Sequence, residues 1–248
     1  MKKNESEIII INELIDLLSG KTISNIINFE TDNIYNKSAI SVIVKNFINI
    51  NSMYSIDVLK DNNIRLKFIS VDSEYRCFEA LSFSHSSLYN VLFEDWNAID
   101  TLEQPSLRKQ LNLSFLFIPI IKIKKKGMFN NYLEWEIGNF RYWKPSAKEQ
   151  ERIGEEWYLA QKVIKEGVKI NSVKWGKAFR NKNNLPKQSE TNFIHLRPHG
   201  KNRYDYDLEY LKYTNGNIEI TKQSFWLNKK YLNLLLKDYK WKINLKEE

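Results

Sequence analysis

Leu113 to Ile123 is an apolar run broken only at Ser114 and Lys122. A strand that is apolar on both sides has no face to show water, so it reads as a buried central strand. It emerges into the charged segment Lys122-Ile-Lys-Lys-Lys126. Other strands are expected at Ile64–Val71 and Tyr75–Leu81, which are short β-branched and aromatic runs within Ser55–Ser84, and at the alternating Tyr132–Ile137. Helices are expected toward both ends. Ile8–Leu18 has apolar residues at 10, 11, 14, 15, 17 and 18 and Gly20 at a C-cap, and residues 37–47 form a second apolar helix. Ser146-Ala-Lys-Glu149 is a capping box, and the helix behind it carries Ile153, Trp157, Ala160 and Ile164 on one face before ending at Gly167. Leu227–Leu235 reads as a closing helix. Asn215-Gly216, between Leu208–Tyr213 and Asn217–Ile220, is a hairpin signal, and the basic residues 173–190 read as a long loop. The pattern predicts an α/β (α+β) fold, a mixed central sheet flanked by helices, with residues 1–248 as a single domain.

The balance of charge is +8, with a pI near 9.2, which favours a polyanionic partner, most often nucleic acid. The bland alternative is a solvated basic surface. The lone cysteine, Cys77, excludes an internal disulfide framework and a Cys-rich zinc site, and it reads as a small buried hydrophobe. No stretch approaches the roughly 18 apolar residues of a membrane span, and Ile8–Ile11 is too short for a signal peptide. A soluble, cytoplasmic protein without a membrane partner is expected.

Two C-terminal segments stand out chemically. Asn192-Phe-Ile-His-Leu-Arg-Pro-His-Gly-Lys-Asn-Arg203 sets Arg197, His199, Lys201 and Arg203 within seven residues, and Pro198 and Gly200 stop it from continuing as a helix or a central strand. Such a donor-rich loop suits phosphates or base edges; a solvated basic turn is the competing reading. Thr221-Lys-Gln-Ser-Phe-Trp-Leu-Asn228 follows. His195 and His199 are four apart, but Pro198 between them argues against a helical zinc pair. His195 alternates with Ile194 and Leu196 and reads as a strand residue with a structural hydrogen bond.

Both segments resemble the MutH and Sau-three-A-I family of DNA mismatch-repair and type II restriction endonucleases. His195-Leu-Arg-Pro-His-Gly-Lys-Asn-Arg203 is similar to that family's His-x-Arg-Pro-(His or Lys) recognition loop, and Lys222-Gln-Ser-Phe-Trp226 is similar to the element that follows it. Leu17-Leu-Ser-Gly-Lys-Thr-Ile-Ser24, Asn36–Phe47 and Ile64-Arg-Leu-Lys67 resemble its N-terminal segments more weakly. The resemblance implies a restriction-endonuclease-like fold and sequence-specific binding of duplex DNA at GATC-type sites. It assigns the DNA contacts to Arg197, Pro198, His199, Lys201, Asn202, Arg203, Lys222 and Trp226. For Trp226 a place in the core beside Phe225 is the equal alternative, and for Lys222 plain solvent exposure.

The family's catalytic set is a helix Glu, an Asp and a Glu-x-Lys strand holding Mg²⁺. This chain departs from it. Lys45 stands at the helix Glu position and Arg65 at the Glu of Glu-x-Lys, so that Asp57 and Lys67 alone remain as vestigial catalytic positions. Two carboxylates become two cations, a swing of about four charge units at a would-be dication site. Asp61, Asp72, Glu74 and Glu79 are the nearby carboxylates that could substitute. The expectation is retained DNA contact without catalysis and without a cofactor, as in the family's catalysis-deficient second domains, with a homodimer or a catalytic subunit as possible companions. The alternatives are an active Mg²⁺-dependent endonuclease and an RNA- or protein-binding regulatory module.

Overall fold

The computed structural model describes residues 3–28, 38–122, 132–176 and 178–237. The lysine run from Ile123 onward and the expected helix start at Lys37 lie outside these residues. The elements up to the middle of the chain are α1 (Lys3–Leu18), α2 (Ala39–Asn51), α3 (Ile56–Asp61), β1 (Ile64–Val71), β2 (Leu81–Ser86), α4 (Leu88–Phe93), α5 (Ser106–Leu111) and β3 (Ser114–Ile121). They continue with β4 (Glu136–Ile137), β5 (Arg141–Trp143), α6 (Ala147–Glu166), β6 (Ile170–Trp175), β7 (Ala178–Asn183), β8 (Ile194–Pro198), α7 (Leu208–Tyr213), β9 (Gln223–Leu227) and α8 (Lys229–Lys237). The fold is mixed α+β. It divides into two compact units: residues 1–79, 113–144 and 233–248 form one, and residues 80–112 and 145–232 form the other.

In the first unit β3 is the buried central strand. It pairs parallel to β1 from Ile64↔Ser114 to Val71↔Ile121, and antiparallel to β5 and β4 on its other side. Its alternation divides the work. Leu116, Ile118 and Ile120 join Ile11, Leu14 and Leu18 of α1 and Ile43, Val44 and Ile48 of α2 in one core. Phe115 and Phe117 point the other way and lie 5.3 and 5.8 Å from the Trp143 ring. Pro119 is tolerated inside this strand for a local reason. Its carbonyl accepts from Gly138 N–H, so its missing N–H faces the same edge, where β5 has ended and β4 has not begun. Cys77 is buried, as its setting suggested.

The second unit is organised on α6. Ser146 and Glu149 form the expected capping box, Ile153, Trp157, Ala160 and Ile164 are buried, and Gly167 ends the helix at φ 97°. Trp157 lies 5.5 Å from Trp96. The antiparallel sheet of this unit has the order β2-β9-β8, and β6 and β7 make a separate hairpin.

Several expectations need correction. Tyr75–Leu81 is not a strand: Tyr75 sits at φ 58°, the Asp72 carboxylate accepts the Glu74 and Arg76 N–H groups, and the strand begins at Leu81. The Ser55–Ser84 region also contains α3, started by the Ser55 hydroxyl accepting from Val58 N–H. Tyr132–Glu134 is a 3₁₀ turn, which leaves β4 only two residues. Residues 173–190 are no simple loop, because the β6–β7 ladder turns at Gly176 with φ 60°. Leu208–Tyr213 is helical, capped by Asp207, and Asn215 (φ 51°) and Gly216 (φ 79°) end that helix, with Gly216 N–H donating to the Leu211 carbonyl. Among the described residues no helix is long and apolar enough to cross a membrane.

Gly154 is where α6 lies against the Trp96 indole, and an added Cβ would collide with that ring. Alanine would improve helix propensity, but overpacking costs about 1–3 kcal/mol. Gly154→Ala is therefore expected to lower the urea midpoint; a raised midpoint would show that Trp96 has room to move.

Candidate nucleic-acid interface

The sheet β2-β9-β8 has two unlike faces. Ile194, Leu196, Phe225 and Leu227 are buried on one. The register sets two polar rows across the other: His195–Trp226–Ser82 and Arg197–Ser224–His85. His199 follows just past β8, so all three histidines of the chain gather on or beside this face. His85 Nδ1 donates to the Gln223 carbonyl at 2.7 Å, and His199 Nδ1 lies 2.8 Å from Ser224 Oγ.

A buried carboxylate anchors the strand that leads into the loop. Glu156 on α6 accepts the successive N–H groups of Asn192, Phe193 and Ile194 at 2.6, 2.9 and 2.8 Å. Asn228 completes the clamp: its amide donates to the Thr191 carbonyl and hydroxyl, and its Oδ1 accepts from His195 Nδ1. His195 is thus the structural strand histidine that the alternation suggested. Burial, with Arg197 adding to it, holds its imidazole below the ordinary value of 6.5, against the raising effect of Asn228.

The donor-rich segment is a pinned loop. His199 N–H donates to the Lys222 carbonyl, Lys222 N–H to the Asp205 carbonyl, and Thr221 Oγ1 to the Arg203 carbonyl. Asp205 accepts from Lys201 N–H at 2.9 Å and pairs with the Lys222 ammonium at 2.7 Å. The Lys222 hydrogen bond, followed by the Lys201 N–H, holds the Asp205 carboxyl below the usual range. Gly200 is required here, since a Cβ would lie 2.8 Å from Thr221 Cγ2.

Trp226 lies on the polar face of β9, opposite to the buried Phe225. It is half-buried, and the Arg197 guanidinium sits 4.9 Å from its ring centre while the His199 ring meets it edge-on at 5.3 Å. Arg197, Pro198, His199, Lys201, Asn202 and Arg203 are all exposed, and Arg197 forms no ion pair among the described residues. Lys222 differs, being committed to Asp205. The sequence reading gave no individual role to Ser224, Asp205, Glu156 or Asn228, the residues that hold the segment; Ser224 and Asn228 lie inside the second C-terminal segment, and Asp205 and Glu156 belong to no motif.

The residues to which the resemblance assigned a catalytic ancestry, Asp57 and Lys67, lie in the other unit. Lys45, Lys60 and Arg65 line a small cavity of about 110 Å³. Lys67 shares a strand face with Arg65, and burial and the nearby Lys45 charge lower its affinity for a proton. Asp57 points away on α3, 84% exposed and paired with Lys60 at 2.7 Å. Asp72 and Glu74 are both engaged with Arg76. These residues do not fit a divalent cation, and among the described residues no group of three His, Cys, Asp or Glu side chains could hold a metal. The chain matches no family model and no curated protein.

Two outcomes are expected. Glu156→Gln keeps one acceptor but turns an amide donor toward N–H groups, and it should cost about 1.5–3 kcal/mol in chemical denaturation, the scale of a hydrogen bond to a charged group. For His195, the unfolded chain binds a proton near pH 6.5 that the folded chain refuses, so stability should fall as pH drops through 6.5 toward the lower folded value. His195→Gln should flatten that slope between pH 7 and 5.5; an unchanged slope would assign it to other groups.

Proposed function

We propose that this chain is a MutH-like, restriction-endonuclease-type domain that reads short GATC-type sites in duplex DNA without cutting them. The observation that carries this reading is Arg197. Its guanidinium is exposed, free of a carboxylate and held over the Trp226 ring at the mouth of a pinned donor loop. A guanidinium oriented in this way can meet the two acceptors of a guanine edge in a fork, a contact that supplies about 1–3 kcal/mol of discrimination. His199, Lys201, Asn202 and Arg203 follow as donors for phosphates and neighbouring edges, Trp226 packs against sugar or base, and the basic balance of the chain attracts the polyanion. Lys222 acts by shaping the loop through Asp205 and reaches a phosphate only by releasing it.

The cationic surround of Lys45, Arg65 and Lys67 weighs against a Mg²⁺-dependent nuclease. On this reading any cutting at the site belongs to a separate catalytic subunit.

The test is a titration against a GATC duplex and a scrambled duplex at fixed moderate salt. At least tenfold tighter binding to GATC, about 1.4 kcal/mol, is expected. Arg197→Ala should abolish the preference. Lys201→Ala should weaken both duplexes alike and reduce the salt slope by about one. Equal affinity for duplex DNA and single-stranded RNA would point instead to an RNA-binding module, and nicking lost in chelator and in Asp57→Ala would restore the nuclease reading.

A further inference from the structure

Behind the donor loop lies a cavity of about 520 Å³, between the loop, the 219–223 segment and the β6–β7 hairpin. Its volume is in the range, about 300–1,000 Å³, of sites that take small organic groups. Its lining has a definite chemistry. Tyr204 and Tyr206 supply aromatic surface, their rings 6.4 Å apart and nearly perpendicular. Asn183 and Asn202 spend their Oδ1 atoms on the N–H groups of Leu185 and Tyr204, which leaves both side-chain amides able to donate. The Asn181 side chain has no hydrogen bond among the described residues, and its backbone belongs to the β6–β7 ladder. Gln223 is fully buried, with its amide bound to the Thr221 carbonyl and its Oε1, which has no partner among the described residues, closed off from the cavity. Arg203 stands at the rim, its guanidinium 4.5 Å from the Tyr204 ring.

Two tyrosine rings, amide donors, the Glu219 carboxylate as an acceptor and the Arg203 cation are groups that complement a nucleotide's π-face, hydrogen-bonding edges and phosphate. The same 197–206 segment turns Arg197 and His199 toward the Trp226 face and Gly200, Asn202 and Tyr204 toward the cavity. We infer that this cavity receives one nucleotide unstacked from the bound duplex, so that the loop reads the site from the groove while the pocket reads a base drawn out of it. This inference rests on the DNA-binding function proposed above. The occupant is a nucleotide of the duplex rather than a free mononucleotide, because the cavity opens beside the loop assigned to the DNA.

The experiment places 2-aminopurine at each position of a GATC duplex in turn and reads its fluorescence at saturating protein, where differences in affinity do not enter. A rise of several-fold at one position is expected. In Tyr204→Ala and Asn181→Ala, both at exposed positions, that rise should fall by at least half in the fully bound complex. A duplex with an abasic site opposite the drawn-out base should bind several-fold tighter, because the cost of unpairing is already met. Full binding with no rise at any position, or a rise undiminished in both variants, would overturn the pocket while leaving groove reading intact. A rise quenched by millimolar free mononucleotide without loss of duplex binding would confirm the pocket's chemistry. Failure of the protein to bind any duplex would overturn both readings.

Discussion

The donor loop stands on a single carboxylate. Glu156 lies inside the second unit and is only 8% exposed, yet it carries a charge that burial alone would penalise heavily. Three consecutive backbone N–H groups of residues 192–194 converge on its two oxygens. Those amides enter an edge strand, where Asn192 and Phe193 have no ladder partner before β8 begins at Ile194. Donors without a partner and a charge without solvent cancel each other. The start of β8 is thereby fixed to α6, the most regular helix of the chain, and everything downstream takes its position from there: His195 against Asn228, Arg197 against Trp226, and the turn at Pro198.

The second constraint is the unlike character of the two sheet faces. Period-2 alternation sends Ile194 and Leu196 into the core and leaves His195 and Arg197 on the polar side. A neutral His195 matters for its neighbour. Were it charged, Arg197 would face a cation two residues away on the same face, and the burial of the imidazole removes that repulsion. The Trp226 ring then offers the guanidinium a surface that costs it no hydrogen-bond donor. A carboxylate in that place would have held Arg197 more tightly and consumed the fork that makes it useful to a ligand.

Much of this was legible in the sequence, and what was not has identifiable causes. The central strand, the capped helix ending at Gly167 and the buried Cys77 were readable because each is decided locally, by an apolar run, a capping box or a hydrophobic setting. The β6–β7 hairpin was not, because its apolar residues are scattered among lysines and asparagines without an alternating period, while its ladder is made by the main chain. Asn215-Gly216 misled because positive φ serves a helix end as well as a hairpin; what separates the two is Asp207, the cap just before Leu208, which binds both the helix start and the distant Ser87 and Leu88. The basic loop was visible as composition, but its rigidity was not: Asp205 holds Lys201 and Lys222 through bonds spanning 4 and 17 positions of chain, and only folding brings them together.

The first unit shows the same electrostatic reasoning in reverse. A metal site for phosphate chemistry concentrates negative charge so that a dication can bridge it. Here β1 and α2 present Arg65, Lys67 and Lys45, and the Asp57 carboxylate turns outward to Lys60. Burial, with Lys45 adding to it, makes Lys67 release its proton more readily than a free lysine. A dication would add to the positive charge of Lys45 and Arg65, and a phosphate would offset it. Introducing one carboxylate would not create a metal site, because the two remaining cations would still oppose the ion at distances where Coulomb energies in a partly buried site amount to several kcal/mol. A metal site here would require at least the paired replacement of Lys45 and Arg65 by acids, together with a carboxylate in reach on the α3 side.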